Sequence, residues 1–338
     1  MKILIVKLSS LGDVIHTLPA ISDIRAHIED VDIDWVVEEA FADIPALHPG
    51  VAKVLPVSLR RWRQNPVAAI TSGEIRTFLR ELRLQTYDLV LDVQGLIKSA
   101  LVASLSHGKA VGLDWDSSRE GLASLLYDRT ISVAPEQHAV DRIRQLSAKT
   151  FDYPVSGAPN FGVPAAKNQT PIIMLLHGTT WPSKHWPEEQ WQAVAALIRS
   201  AGFSLMIPAG NPVESARASR IAINDTELLP SMSLGELVKK MAECSGVISV
   251  DTGLGHLAGA LRLPTVAIFG STDPLLTGVQ GTYVKTLASD HLPCIPCRKR
   301  HCKFSEDDDK IYPPCLANTT PEAMWKALQS QIRLVSGS

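Results

Sequence analysis

The sequence predicts an α/β protein built from two doubly wound, Rossmann-like halves. Three observations lead there. The chain has 338 residues, and at roughly 100–200 residues per domain two domains are the natural expectation. The second half alternates strand and helix, with short continuous apolar strands of the kind that a parallel sheet buries on both faces. Between the halves, residues 153–170 collect Pro154, Gly157, Pro159 and Pro164, a linker composition. The expected domains are residues 1–160 and 161–320. A last helix over 321–338 is expected to pack back toward the first domain.

Residues 3–6, Ile-Leu-Ile-Val, read as the first buried strand. Residues 13–27 read as one helix, with Val14, Leu18 and Ile21 on one face. Residues 33–37 and 89–93 are continuous apolar runs and further strands. Residues 71–84 read as a charged amphipathic helix. In the second half, strands are expected at 172–176, 203–207, 227–229, 247–250 and 265–269, and helices at 188–201, 214–222, 234–244 and 256–263. Two such halves facing one another would hold ligands at the carboxyl ends of their strands.

Composition narrows the function. Hydrophobic content of 45% with 20% charged residues fits an ordinary globular enzyme. The net charge of −2 supplies no basic field for nucleic acid. No apolar run reaches the ~20 residues of a membrane span, and the apolar start is too short for a signal peptide. A cytoplasmic protein, working as a monomer, is the expectation.

The stretch Asp251-Thr252-Gly253-Leu254-Gly255-His256 lies between an apolar strand and a helix. A helix start offers unpaired N–H groups and the positive end of its dipole, and glycine admits a phosphate close to the backbone. This turn is a candidate diphosphate site, although such glycines also serve turn geometry alone. The loop Thr179-Thr180-Trp181-Pro182-Ser183-Lys184 combines hydroxyls with a lysine, which suits phosphate oxygens as well as a solvated loop. Glu214, at another strand-to-helix junction, suits either ribose hydroxyls or the first-turn dipole.

Asp13 follows the first strand and Ser9-Ser10-Leu11-Gly12. There it can act as a general base on a hydroxyl or as a helix cap. Arg60, Arg61 and Arg63 flank Trp62, a cluster suited to phosphate or an anionic membrane edge, with a solvated face as the plain reading. Lys98, Arg119 and Arg142 are single cationic candidates. Cys294, Cys297, Cys302 and Cys315 have a spacing that fits structural zinc or iron, free thiols or disulfides, with His291 and His301 as substitute ligands. Cys244 ends a helix and reads as a buried apolar residue. The first turn lacks Gly-x-Gly-x-x-Gly, which counts against a dinucleotide-dependent oxidoreductase.

Lys7-x2-Ser10-x-Gly12-Asp13-x2-His16-x2-Pro19, His185-Trp186-Pro187 and Asp251-Thr252-Gly253-x2-His256 together resemble the bacterial lipopolysaccharide heptosyltransferases, inverting sugar transferases of the GT-B fold. Residues 34–39, 60–63 and 94–99 resemble the heptosyltransferase I branch, which adds the first heptose to the Kdo of Kdo-lipid A. The resemblance runs from residue 1 to about 285 and through the last helix.

The resemblance implies roles. Asp13 would be the catalytic base. Thr179, Thr180, Lys184, Thr252 and Gly253 would hold the phosphates of ADP-L-glycero-β-D-manno-heptose. Glu214 would bind the ribose and Met232 would pack on the adenine. Asp251 would orient the sugar, with His256 beside it. Ser10, Arg60, Arg61, Arg63, Lys98, Arg119 and Arg142 would face the acidic acceptor, Kdo-lipid A, at the cytoplasmic face of the inner membrane. No cofactor would be required for catalysis. The cysteine segment departs from the best-known members, which leaves room for a heptosyltransferase II-like acceptor. A non-catalytic nucleotide-sugar binder is the rival of another class; Asp13 and Lys184 weigh against it.

Overall fold

The computed structural model describes residues 1–166, 170–289, 292–304 and 313–336. The chain divides into two compact units, Met1–Val163 and Pro164–Ser338. The division falls inside the proline-rich stretch, where few side chains are available to bury.

The first unit is a six-stranded parallel sheet of β1 (Lys2–Val6), β2 (Asp32–Glu38), β3 (Lys53–Val57), β4 (Leu89–Asp92), β5 (Ala110–Leu113) and β6 (Arg129–Ile131), in the order β3-β2-β1-β4-β5-β6. β1 sits at the centre, so Ile3, Leu4, Ile5 and Val6 are all buried. Leu4, Val6, Val36, Leu55 and Val90 form one core with Phe78 and Leu82 of the helix Glu74–Leu82.

The second unit repeats the plan with β7 (Ile172–Leu176), β8 (Ser204–Pro208), β9 (Thr226–Leu229), β10 (Gly246–Val250), β11 (Thr265–Phe269) and β12 (Val284–Ala288). Their order is β12-β11-β10-β7-β8-β9, all parallel. Its core joins Ile173, Leu175, Ile248 and Ile268 to Trp186 and Trp191, whose rings meet edge-on at 5.0 Å. The expected α/β class with two doubly wound sheets is what the molecule has.

Several boundaries differ from the sequence reading. The single helix expected over 13–27 is two, Leu11–Ile15 and Leu18–His27, because Pro19 cannot continue a helix and fits only in a first turn. The charged helix expected over 71–84 is the shorter Glu74–Leu82, separated by Gly73 with φ +77° from a further helix, Pro66–Thr71. Strands β3, β5, β6 and β12 were not anticipated. β3, β6 and β12 are edge strands with polar or half-exposed residues, β5 lies next to an edge, and β3 and β5 carry Pro56 and Gly112.

The last helix, Pro321–Ser336, packs on the second unit. Met324, Trp325 and Leu328 belong to the second unit's own core. That apolar face is what holds the helix there.

Candidate active site

In an open parallel sheet, the loops on either side of a reversal in strand order diverge and leave room for a ligand. In the first unit that reversal lies between β1 and β4. Residues 7–13 leave β1, and residues 93–99 leave β4 beside them. The two loops are tied together. Gln94 Oε1 accepts from the Leu8 and Ser9 amides at 2.7 and 3.4 Å. Lys7 Nζ donates to the Val93 carbonyl at 3.2 Å, and Lys98 Nζ donates to Ser9 Oγ at 3.1 Å. The buried Asp92 carboxylate accepts from the Gln94 amide at 2.8 Å and from the Tyr127 hydroxyl at 2.7 Å, which fixes the second loop from below.

Asp13 occupies the third position of the helix Leu11–Ile15. Its Oδ2 accepts from both the amide and the hydroxyl of Ser10 at 2.9 Å. The cap reading is therefore correct for one oxygen. Burial pushes its pKa up, but the charges of Lys7 and Arg119, with the Ser10 hydrogen bond and His16, outweigh burial and hold it well below the usual carboxylate range. Lys7, only 6% exposed, has its own pKa lowered, first by burial and then by Arg119 and Arg142, against the pull of Asp13. Arg142, which donates to the Ser117 carbonyl at 2.7 Å, is likewise lowered by burial and by Arg119. Lys7 and Arg119 thus act on the Asp13 carboxylate, and Arg142 acts in turn on Lys7.

A second cationic group adjoins the first. Lys98 is lowered by burial and by Arg60 and Arg63, against Glu38. The Arg60 amide donates to Glu38 at 2.9 Å while its guanidinium lies 5.0 Å from the Phe41 ring centroid. Arg61 reaches Glu39 at 3.2 Å and Glu74 at 2.7 Å, and those carboxylates raise its pKa. It ties the helix Leu59–Gln64 to its neighbours.

In the second unit the reversal lies between β10 and β7. The loops that leave them, 251–253 and 177–184, meet through side chains. Lys184 Nζ lies 2.6 Å from Asp251 Oδ2 and 4.8 Å from the Trp181 ring centroid. Thr179 Oγ1 donates to the Asp251 carbonyl at 3.3 Å, and the Thr272 hydroxyl donates to Asp251 Oδ2. Thr180, at the tip of the loop, is exposed.

The helix Gly253–Ala260 begins three residues earlier than expected and has no side-chain cap. It packs tightly on β10, since a Cβ on Gly255 would come within 2.7 Å of Ser249 Oγ. Its open N-terminus therefore sits at the strand end, as an anion site requires. His256 is buried one turn in.

Glu214 lies in the first turn of the helix Pro212–Ile221, and its Oε2 accepts from the Gly210 amide at 2.8 Å. Its carboxyl carbon would sit 3.0 Å from a Cβ on Gly178, so the absence of a side chain at 178 is what admits it beside the Thr179 loop. Met232, half-buried, precedes the helix Leu234–Glu243, and neighbouring Ser231 donates to the Gly210 carbonyl at 3.4 Å. The donor residues expected from sequence thus gather at one sheet edge. His177 is buried, and burial lowers its pKa to about 4, which keeps it neutral.

The cysteine segment is tied to the loop that carries Lys184. Ser183 donates to the Arg300 and Lys299 carbonyls at 3.1 and 2.6 Å, Arg300 donates to the Thr180 carbonyl at 3.2 Å, and the Arg298 amide donates to Ser271 at 2.7 Å. All five cysteines are free thiols, which sets aside the disulfide reading, and Cys244 is buried as expected. Cys294, Cys297, Cys302 and Cys315 line one cavity of about 20 Å³. Burial, helped by the other three cysteines, raises Cys315 to about 11. Among the described residues no three His, Cys, Asp or Glu side chains close up into a metal site. His291 lies outside the described residues.

Lys7 and Thr272 had no role assigned from sequence. Lys7 is a lysine at the end of an apolar strand, which was signal enough. Thr272 carried none, since only the fold brings the β11 loop to Asp251.

The model of glycosyltransferase family 9 (heptosyltransferase) matches residues 75–307. The chain belongs to this family. Family 9 relatives agree over nearly the whole length. The chain is 43% identical to lipopolysaccharide heptosyltransferase 1 of Pseudomonas aeruginosa over 98% of both chains. It is also 43% identical to lipopolysaccharide heptosyltransferase 1 of Escherichia coli K12, over 83% of this chain and 91% of that protein. Among solved structures, E. coli heptosyltransferase WaaC with ADP superposes with a TM-score of 0.86 at 37% identity, covering 98% of this chain and 100% of that one. E. coli ADP-heptose heptosyltransferase II gives 0.79 at 19% identity over 99% of this chain and 100% of that one, a likeness of fold. The family's two-sheet GT-B architecture is the one expected from sequence. No helix among the described residues is long and apolar enough to cross a membrane.

Proposed function

We propose that this family 9 glycosyltransferase moves L-glycero-D-manno-heptose from ADP-heptose to the Kdo of Kdo-lipid A. The observation that carries the reading is the 43% identity with a lipopolysaccharide heptosyltransferase 1 over 98% of both chains. The two clusters of polar residues at the sheet reversals supply the chemistry it needs.

The second unit grips the donor. Glu214 takes the ribose, and Met232 packs on the adenine. Lys184, Thr179 and Thr180 hold the diphosphate together with the amides of Thr252 and Gly253. As the sugar–phosphate bond breaks, negative charge grows on the ADP oxygens. A lysine and a helix N-terminus stabilise that charge without a cofactor. Lys184 then exchanges Asp251 for phosphate, which frees Asp251 to accept from the sugar hydroxyls; His256 supports that end of the site.

Asp13 is the base. The Kdo hydroxyl oxygen attacks the anomeric carbon, its proton passes to Asp13, and ADP leaves from the opposite face, which inverts the centre. A carboxylate held far below its usual pKa is a poor proton acceptor. The acceptor resolves this. A sugar acid set against Lys7 and Arg119 neutralises charges that depress Asp13 and returns it toward ordinary basicity. Ser10 holds the carboxylate in position, while Arg60, Arg63 and Lys98 meet further acceptor anions.

Purified protein with ADP-heptose should release ADP in the presence of Kdo-lipid A. Release only with an acceptor that already carries a heptose contradicts the reading and favours a heptosyltransferase II-like enzyme.

The four thiols around one small cavity support a structural role for zinc or iron. A cavity of about 20 Å³ admits a single ion-sized occupant, and the thiols draw together around it. Metal analysis of the purified protein should find one such ion per chain, lost in Cys297→Ser. Metal-free wild-type protein contradicts this. We place the protein peripherally at the cytoplasmic face of the inner membrane, where its acceptor lies.

A further inference from the structure

We propose that the helices Pro66–Thr71 and Glu74–Leu82 form a docking face for an anionic lipid bilayer. This rests on the acceptor being lipid-borne. The two helices form a hairpin turned at Gly73, with a clear division of faces. Inward, Ala69, Phe78 and Leu82 are buried, and Phe78 and Leu82 join the sheet core. Outward, Val67 and Ile70, one helical turn apart, are each 70% exposed, and Leu84 beyond the second helix is 63% exposed. A soluble surface scatters such side chains singly; here Val67 and Ile70 stand side by side on one helix.

The outward face also has charge of one sign. Arg76, Arg80 and Arg83 recur at spacings of four and three residues, so they line one side of their helix. With Ile70, Ile75 and Leu79 they border an open groove of about 450 Å³. Arg76 and Arg80 make no ion pair among the described residues. The acidic residues of the helix point elsewhere: Glu74 is engaged by Arg61 and the Trp62 indole, and Glu81, seven residues on, shares its side. Arg83 donates to the Leu105 carbonyl at 2.8 Å. That bond reaches the end of the helix Ile97–Leu105, where Leu101 and Leu105 are 47% and 38% exposed.

Apolar side chains beside unpaired arginines match the two layers of a bilayer surface. The isoleucines and valine enter the acyl boundary while the guanidiniums pair with lipid phosphates. A protein partner would need acidic groups set into an apolar surface; an anionic leaflet presents both over any area. No helix among the described residues spans a membrane, so a face of this kind is what brings the enzyme to a membrane-borne substrate.

The test uses the full chain with phosphatidylcholine vesicles, with and without phosphatidylglycerol. Wild type should co-sediment with the anionic vesicles, less so as salt rises, and stay in solution with the neutral ones. Arg76→Ala/Arg80→Ala should weaken sedimentation about tenfold or more, and Val67→Ser/Ile70→Ser should do the same. Turnover on acceptor carried in anionic vesicles should fall in parallel, while turnover on the same acceptor stripped of its acyl chains stays at the wild-type rate. Wild-type protein that ignores lipid charge, or variants that sediment like wild type, would overturn the proposal. So would variants that lose turnover equally on both acceptors. Sedimentation is read without turnover, so wild type that binds vesicles yet transfers no sugar would instead refute the proposed reaction.

Discussion

A carboxylate ringed by cations is easy to ionise and hard to protonate, and Asp13 is in that condition. Lys7 and Arg119 overcome its burial. Arg119→Ala removes a charge that favours the ionised form, so the pKa of Asp13 rises and the carboxylate is protonated at higher pH. The acid limb of the kcat/KM profile should therefore move upward in pH in the variant. An acid limb that stays in place, or moves down, means Arg119 does not act on the base. The same residue shows how far sequence reading reaches. Its position after a strand gave two roles, base and cap, and the Ser10 contacts show that one carboxylate can serve as a cap while a cation cluster sets its charge. The spacing of Lys7, Arg119 and Arg142 over 136 positions could not reveal that they meet, because only the sheet order brings the loops after β1 and β5 near the helix that carries Arg142.

At the scale of elements, the central strands were legible and the edges were not. β1, β4, β7, β10 and β11 are covered on both faces and have two neighbours each, so they read as plain apolar runs. Edge strands such as β6, with Arg129 and Thr130 exposed, carry no such pattern. Nor did sequence reveal the ion pair that fixes the helix Ala139–Phe151. Arg144 reaches Asp23 of the helix Leu18–His27 at 2.7 Å and also donates to the Ser156 and Gly157 carbonyls at 2.8 and 3.2 Å. Both charges are largely buried, with side-chain exposures of 3% and 14%. Arg144→Ala leaves Asp23 uncompensated and frees the start of the linker. It should cost about 3 kcal/mol in chemical denaturation of the first unit. A loss within about 0.5 kcal/mol, the range of an ordinary surface change, would mean that solvent compensates Asp23.

Across the whole molecule, two sheets of the same plan carry different side chains at their reversals, a carboxylate among cations in one unit and a lysine with a helix N-terminus in the other. Sequence located both, since strand ends followed by glycine, hydroxyl and charge are local features. It did not show that the last helix joins the second unit's core or that the cysteine segment bonds to the Thr179–Lys184 loop, because packing faces and loop-to-loop hydrogen bonds are long-range. Donor grip and acceptor activation are assigned to different units, and one paired measurement tests that division. Asp13→Asn and Lys184→Ala are compared for turnover with Kdo-lipid A and for ADP-heptose affinity by calorimetry. Asp13→Asn should lose about a hundredfold or more in turnover and keep wild-type donor affinity, whereas Lys184→Ala should lose about tenfold or more in donor affinity. Turnover that survives in Asp13→Asn, with donor affinity intact, would contradict the account at its centre.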